Sequence, residues 1–444
     1  MIPDAEWDSN LYLSVAGPGI ILLSCATVYY YGALLLPQYV IDTFQGYRFL
    51  FHGREMIAQA SKQYGEQPFS LPTPSERVHV VSSKQHFAEL AKAHTSQLSL
   101  HAAVLKIFSP KHALGGFQFP NRRDIEGMNV VRAIRSANVR LVHYIPAHFR
   151  LVEEEIQHLM SGKETDNNGY IEVPLLALVR NMMIRANTLF IISEETANGR
   201  EFLNMTAKYA NRALLTAEIC RLVPTWSKRT AEKYLAEGAT DPDAILLKDR
   251  NYSWIISQLI FSPPPPNEQA SALEFLTRCY PPEWSIDRMV REVAMAWMPG
   301  MSLLTTVATN LLQDIFTHSE HIPALREEIA AHSKNTSRED VHVHVDVEKM
   351  PFLESFIMES ARVHSYESTL DTFTFSDGYV VPKGDWVEFN QQAAFNNPTV
   401  FPNPGLFDPY RHMRSSGGGS GGGGRRFKDV SVEWPMWGAP KLAW

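Results

Sequence analysis

Glu359 and Arg362 stand three residues apart in the run Glu359-Ser360-Ala361-Arg362. On a helix, positions i and i+3 share a face, so the carboxylate and the guanidinium can pair and offer their remaining hydrogen-bonding capacity to a third group. Arg411, in the later run Phe407-Asp408-Pro409-Tyr410-Arg411-His412, is the candidate third member. Taken alone, Glu-x-x-Arg is equally the pattern of an ordinary surface ion pair. Other chemistry-bearing types are sparse. Cys25, Cys220 and Cys279 are scattered and never spaced as Cys-x-x-Cys. That excludes a disulfide scaffold or a zinc ribbon and suits a reducing compartment. Among sixteen histidines none has a metal-binding spacing: His342-x-His344 alternates as a strand or loop does, and His318 and His321 read as exposed.

The elements that must hold these groups follow from periodicity. Pro351 to His364 is a helical pattern carrying Glu359 and Arg362, and Pro398, Pro402, Pro404 and Pro409 punctuate the coil that leads to Arg411. Between them, Thr372-Phe373-Thr374-Phe375, Ser376-Asp377-Gly378 and Tyr379-Val380-Val381 read as strand, turn and strand. Asp287 to Thr317 is the longest apolar helical pattern, interrupted at Pro299-Gly300. Upstream, Phe49 to Gly65 predicts an amphipathic helix, Val78 to Val81 a strand, and Val130 to Met160 a helix kinked at Pro146. The run Glu153-Glu154-Glu155 reads as a solvated face, Ile171 to Leu222 is mostly helical, and Pro263 to Pro266 form a stiff surface loop. The fold class is mainly α with small β-sheets, the strands clustering towards the two ends of the chain.

The 444 residues are 45% hydrophobic, which rules out global disorder. A net charge of −7 without a basic block argues against nucleic acid as a partner. Leu11 to Leu36 contains no charged residue and is long enough to cross a hydrocarbon core of ~30 Å. Asp4, Glu6 and Asp8 precede it and Arg48, Arg54 and Lys62 follow it. These flanks favour a retained anchor over a cleaved signal peptide or a buried core helix, with the bulk of the chain cytosolic. The expected organisation is a lumenal N-terminus at 1–10, a transmembrane anchor at 11–36, and one main domain at 37–444 with a Gly/Ser linker at 415–424.

The order of these signals resembles the cytochrome P-450 family of haem-thiolate monooxygenases, its fungal membrane-bound branch in particular. The resemblance rests on Glu359 to Arg362, Ser376 to Gly384, Asn396-Asn397-Pro398, Phe401 to Pro404 and Phe407 to His412. Phe117 to Arg123 is similar to the stretch ahead of that family's C helix, and Trp434 to Ala443 to the approach to its haem-binding loop. With the anchor, it covers essentially the whole chain.

The resemblance implies a cytochrome P-450-like fold whose last helix and terminal strands are missing, truncated at the haem-binding loop. It makes Glu359, Arg362 and Arg411 structural and brings Trp437 and Gly438 up to haem. The family's ligand cysteine falls on Trp444, its loop glycine on Pro440 and its basic residue on Leu442. Cys220 and Cys279 are the remaining thiols, each either a replacement ligand or a small buried hydrophobe. The oxygen-activation motif falls on Pro299 to Leu303, where Gly300 matches, Ser302 replaces the acid and Leu303 the threonine. Thr305 or Thr306 could substitute if the helix shifts register at Pro299. Arg132 or Arg135 could serve a haem propionate, or line a solvated face together with Arg140.

The implied function is a membrane-anchored, haem-dependent monooxygenase. It would oxidise a lipophilic small molecule in fungal secondary-metabolite (terpenoid-type) biosynthesis, with electrons from an NADPH-dependent reductase. The implied location is the endoplasmic reticulum, single-pass. The alternative is a catalytically inactive, haem-free relative that lacks the cysteine ligand: a binding or scaffold protein, or a non-functional product.

Overall fold

Two short strands from opposite halves of the chain, the Val-rich run at 77–81 and Trp386-Val387-Glu388-Phe389, form the middle of the sheet. In the computed structural model, β2 (Arg77–Val81) pairs antiparallel with β1 (Phe69–Pro72) and parallel with β6 (Trp386–Phe389). β6 pairs antiparallel with β5 (Ser368–Asp371), giving the order β1-β2-β6-β5. The structure describes residues 38–93, 141–222, 286–334, 349–414 and 426–438 apart from short gaps, together with Leu98, 108–113 and His344–Val345. For 286–299 the description extends to the backbone alone. A second pairing, β3 (Ser333–Lys334) with β4 (His344–Val345), is antiparallel.

Both faces of the four-stranded sheet are covered. On one, Val78, Val80, Phe69 and Trp386 pack with Ile57 and Ala60 of α1 (Gln38–Tyr64). On the other, Val81, Val387 and Phe389 pack with Phe87 and Leu90 of α2 (Lys84–Lys92) and with Phe375 and Val381 of the following turn region. Burial on both faces fits the apolar residues at successive positions in β2 (Val80-Val81) and β6 (Trp386-Val387). Two imidazoles pin that turn region: His79 lies 2.7 Å from the Tyr379 hydroxyl and 3.1 Å from Asp385, and His86 lies 2.7 Å from Asp377.

The helices are α3 (Leu141–Met160), α4 (Leu175–Ile191), α5 (Glu194–Asn198), α6 (Arg200–Leu222), α7 (Ile286–Thr317), α8 (Ile322–His332), α9 (Pro351–Val363), α10 (Gln391–Phe395) and α11 (Arg411–Arg414). The expected mainly helical class with small sheets is thus what the described residues form. Three details differ from the sequence reading. First, Glu155 is not on a solvated face: it is buried and accepts from Asn181 at 3.0 Å and from Arg185 and Arg200 at 3.4 Å. Helical periodicity puts it one turn from buried Leu151, on the side that meets α4, while Glu153 and Glu154 stay exposed. Second, α7 runs through Pro299-Gly300 without a break, because α4 packs along it and holds it helical. Third, His318 and His321 are half-buried: their single 3₁₀ turn folds over α9, stacking His318 on Phe407 and setting His321 edge-on to Phe352, Phe356 and Tyr410. The stretch 11–36 lies outside the described residues, among which no helix is long and apolar enough to cross a membrane.

The start of α9 borrows its cap from α8. Met350, at the cap position, makes no side-chain cap bond, and Pro351 occupies the first turn. The Glu328 carboxylate instead accepts from the Phe352 and Leu353 N–H groups, both at 2.8 Å. Glu328→Ala leaves two N–H donors unsatisfied and should cost about 1–2 kcal/mol, read as a lower urea midpoint. An unchanged midpoint would reject the cap.

Candidate functional site

The centre of the candidate site is one carboxylate under four hydrogen-bonding partners. Phe352 and Phe356 bury one side of α9 against Leu325 and Met358 another against Phe395, Phe401 and Trp434, and Glu359 and Arg362 are enclosed with relative exposures of 0% and 2%. Arg362 grips Glu359 bidentately, with Nε–Oε2 and Nη2–Oε1 both at 2.9 Å, and donates its third arm to the Phe395 carbonyl at the end of α10. Arg411 donates its Nε to both Glu359 oxygens at 3.1 Å and spreads Nη1 and Nη2 over the Pro402 and Leu406 carbonyls. The Asp408 N–H adds a bond at 3.0 Å, and His412 Nε2 stands 3.3 Å from Oε2. The structure therefore brings Glu359, Arg362 and Arg411 together.

Burial alone would push the Glu359 carboxyl up. The His412 imidazole, the Arg362 guanidinium and the Asp408 N–H outweigh it and hold the group at about 2, below its ordinary 4.5. What the arrangement does is mechanical. Through Arg411 it fixes the irregular stretch 396–410 by its own carbonyls, and through Arg362 it fixes α10. His412, absent from the sequence reading, is a further member of the cluster, packed edge-on against Trp434. Its signal was its place directly after Arg411.

Downstream, Glu354 of the same helix accepts from Arg426 (2.9 Å) and from the Phe427 N–H (3.0 Å), so the chain beyond the Gly/Ser tract returns to α9. There the Phe427 carbonyl accepts from the indoles of Trp434 (3.3 Å) and Trp437 (2.7 Å). The Pro435 carbonyl accepts from Gln391 of α10 and from the Gly438 N–H. Gly438 has φ +84°, left-handed backbone that suits a residue without Cβ. Trp437 and Gly438 are thus held in a turn fastened to α9 and α10.

On α7, Gly300 meets α4, where a Cβ would sit on the Asn187 side-chain amide. Asn187 is itself tied to the Met183 carbonyl at 3.0 Å, so it yields only by breaking that bond. Gly300→Val should therefore lower stability by ~1–3 kcal/mol, measured by thermal unfolding. A melting curve superimposing on the parent's would refute the close approach. Ser302 follows in the helical backbone and Leu303 is 47% exposed. Thr305 is buried with its hydroxyl donated to the Met301 carbonyl at 2.6 Å, and Thr309 does the same to Thr305. These i−4 bonds follow ordinary helical register past Pro299, without the register shift that a substitution by Thr305 requires.

Trp444, Pro440, Leu442, Arg132, Arg135, Arg140, Cys25 and Cys279 lie outside the described residues. Cys220 is buried near the end of α6. Among the described residues no group of three or more His, Cys, Asp or Glu side chains could hold a metal ion. As to haem, an indole N–H is a donor without a lone pair for iron. Among the described residues the Trp434–Gly438 segment carries no thiolate donor, and the described cysteine, Cys220, lies near the end of α6.

Comparison with known proteins bears on the same segments. The family model described as cytochrome P-450 matches residues 282–426, which include α7, α9 and the Glu359 cluster. The chain is 23% identical over 317 residues to the cytochrome P-450 monooxygenase cdmJ of Talaromyces verruculosus, spanning 68% of this chain and 59% of that protein. It is 20% identical to the cytochrome P-450 monooxygenase atmQ of Aspergillus flavus, spanning 83% and 69%. Among solved structures, the retinoic-acid-bound cyanobacterial CYP120A1 superimposes with a TM-score of 0.61 at 16% identity, covering 87% of this chain and 81% of that one.

Proposed function

The chain is a member of the cytochrome P-450 family, and from that premise we propose that it carries the scaffold of a monooxygenase acting on a lipophilic small molecule. The observation that carries the reading is the Glu359–Arg362–Arg411 cluster, which fastens the irregular stretch 396–410 to α9, while Glu354 of the same helix holds Phe427, whose carbonyl takes the Trp437 indole. In that family, haem held by a thiolate supplies oxygen activation, the ligand's electron push favouring O–O cleavage. The work assigned to this chain's own residues is positional: Glu359, Arg362 and Arg411 hold the approach to the haem loop, and Trp437 and Gly438 form its last described turn. An NADPH-dependent reductase as electron donor and a terpenoid-type substrate belong to the same proposal. So does a single-pass anchor at residues 11–36 in the endoplasmic reticulum, whose uncharged length and flanking charges support it.

A second reading is favoured by one specific feature: laying the family's loop pattern on Trp437 puts Trp444 at the position of the thiolate. On that reading the chain with this sequence is a haem-free relative, keeping the scaffold without the chemistry. The two separate in one measurement. Purified protein, expressed with a haem precursor, is reduced under carbon monoxide and its difference spectrum recorded. No thiolate-type band is expected from the present sequence. That band, or turnover with a reductase, would overturn the assignment of Trp444 to the ligand position and restore the active-enzyme reading.

A further inference from the structure

Away from the Glu359 cluster, β2 carries a second set of linked polar side chains. Strand alternation puts Arg77 and His79 on one face with Val81, the face that meets Phe375 and Tyr379. His79 is 7% exposed. Its Nε2 stands 3.1 Å from the carboxylate of Asp385, the residue just before β6, and its Nδ1 stands 2.7 Å from the Tyr379 hydroxyl. An ionised carboxylate can only accept, so in the neutral imidazole Nε2 carries the proton and Nδ1 presents its lone pair. The Tyr379 O–H therefore donates to Nδ1. Hydroxyl, imidazole and carboxylate stand in the order of a nucleophile, its general base and the group that orients the base.

The surroundings suit that order. Burial holds the Tyr379 phenol above its usual range, against the pull of Arg77, so it meets an electrophile protonated and needs a base to attack. Arg77 is fixed by Asp42 at 2.7 Å and Ser70 at 3.2 Å, and its charge favours an anion developing beside the phenol oxygen. Tyr379 is half-buried between exposed Gly378 and Val380, so a small reagent can approach it from solvent. We propose that Tyr379 is an acyl-acceptor site for activated esters, with His79 as its general base and Asp385 as the positioning residue. The phenol oxygen bonds to the ester carbonyl carbon while its proton passes to His79 Nδ1. The bond from that carbon to the alkoxy or aryloxy group then breaks, and the proton follows the departing oxygen. The products are an acyl ester on Tyr379 and a free alcohol or phenol, with no change of oxidation state. The site does not rest on the monooxygenase reading.

The test treats the full chain with p-nitrophenyl acetate and maps acetyl groups by mass spectrometry before and after hydroxylamine, which removes tyrosine esters and spares lysine amides. Tyr170, 72% exposed, is the internal reference. Tyr379 is expected to label roughly tenfold faster than Tyr170 or more, despite being the less exposed ring. In Asp385→Asn the amide can donate to Nε2, which moves the imidazole proton to Nδ1 and leaves the phenol without a base. That variant should slow Tyr379 labelling by about 10²-fold with the Tyr170 rate unchanged, and Asp385→Glu should restore part of it. Equal rates at Tyr379 and Tyr170 in the parent overturn the proposal, as does fast Tyr379 labelling that survives Asp385→Asn. Should Asp385→Asn fail to fold, the ratio of the two rates in the parent decides alone.

Discussion

Glu359→Gln is expected to cost about 3–5 kcal/mol and in most expression hosts to abolish soluble, folded protein. The substitution keeps the shape and removes the charge, so the two buried guanidiniums lose the anion that offsets their desolvation. Arg362→Ala should be similar, because it removes the bidentate partner of Glu359, leaving Arg411, His412 and the Asp408 N–H, and releases the Phe395 carbonyl. A surface ion pair would cost only ~0–1 kcal/mol, so a denaturation midpoint close to the parent's would dismiss the cluster as the organiser of this region. The same carboxylate sets an acid limit. Its folded-state value of about 2 lies below the ordinary 4.5, so its stabilisation is complete above pH 4.5 and is lost as pH falls towards 2. The shift corresponds to about 3 kcal/mol. Stability measured across that window should fall in the parent. It should fall less in Glu359→Gln, compared in a background stable enough to fold.

Arg185→Met is the second change expected to be severe, at about 3–5 kcal/mol. The guanidinium is buried among three helices, donating to the Leu151 carbonyl of α3 at 3.0 Å and to the Ala197 carbonyl of α5 at 3.1 Å. It also reaches Asn198, Glu154 and Glu155. Removing it takes the guanidinium donor from both carbonyls and leaves Glu155 with the more exposed Arg200 as its cation. Adding Glu155→Leu should recover part of the loss, since the stranded carboxylate goes with its partner. Urea midpoints of the single and double variants measure this. A double variant as unstable as the sum of the two single variants would show that the pair is not coupled.

What the sequence disclosed and what it hid divide along a physical line. Glu359 and Arg362 were legible because i,i+3 spacing is a property of one helix, and the four prolines from Pro398 to Pro409 announced the coil that Arg411 stabilises. Glu155 was misread because three consecutive acids look solvated. Only the partner helix, with Arg185 thirty residues away, tells which of the three points inward. His318 and His321 failed for the same reason: the aromatic rings that cover them come from α9 and the segment after it. Pro299 was expected to interrupt α7, yet packing against α4 overrides a local breaker.

The parallel pairing of β2 with β6 has a consequence for how the chain is made. His79 finds Tyr379 and Asp385 some 300 residues later, and Val80 and Val81 find their cover on β6 at the same remove. At ribosomal rates of about 5–20 residues per second, β2 waits on the order of 15–60 s before the strand that completes its sheet is synthesised. During that interval the strongly apolar Val78–Val81 edge can pair only with β1. Until residue 389 has emerged, that edge is therefore the part of the nascent chain most open to wrong pairing. Shortening the wait, by permuting the chain so that residues 365–395 precede residue 69, should raise the yield of folded protein without altering a single native contact.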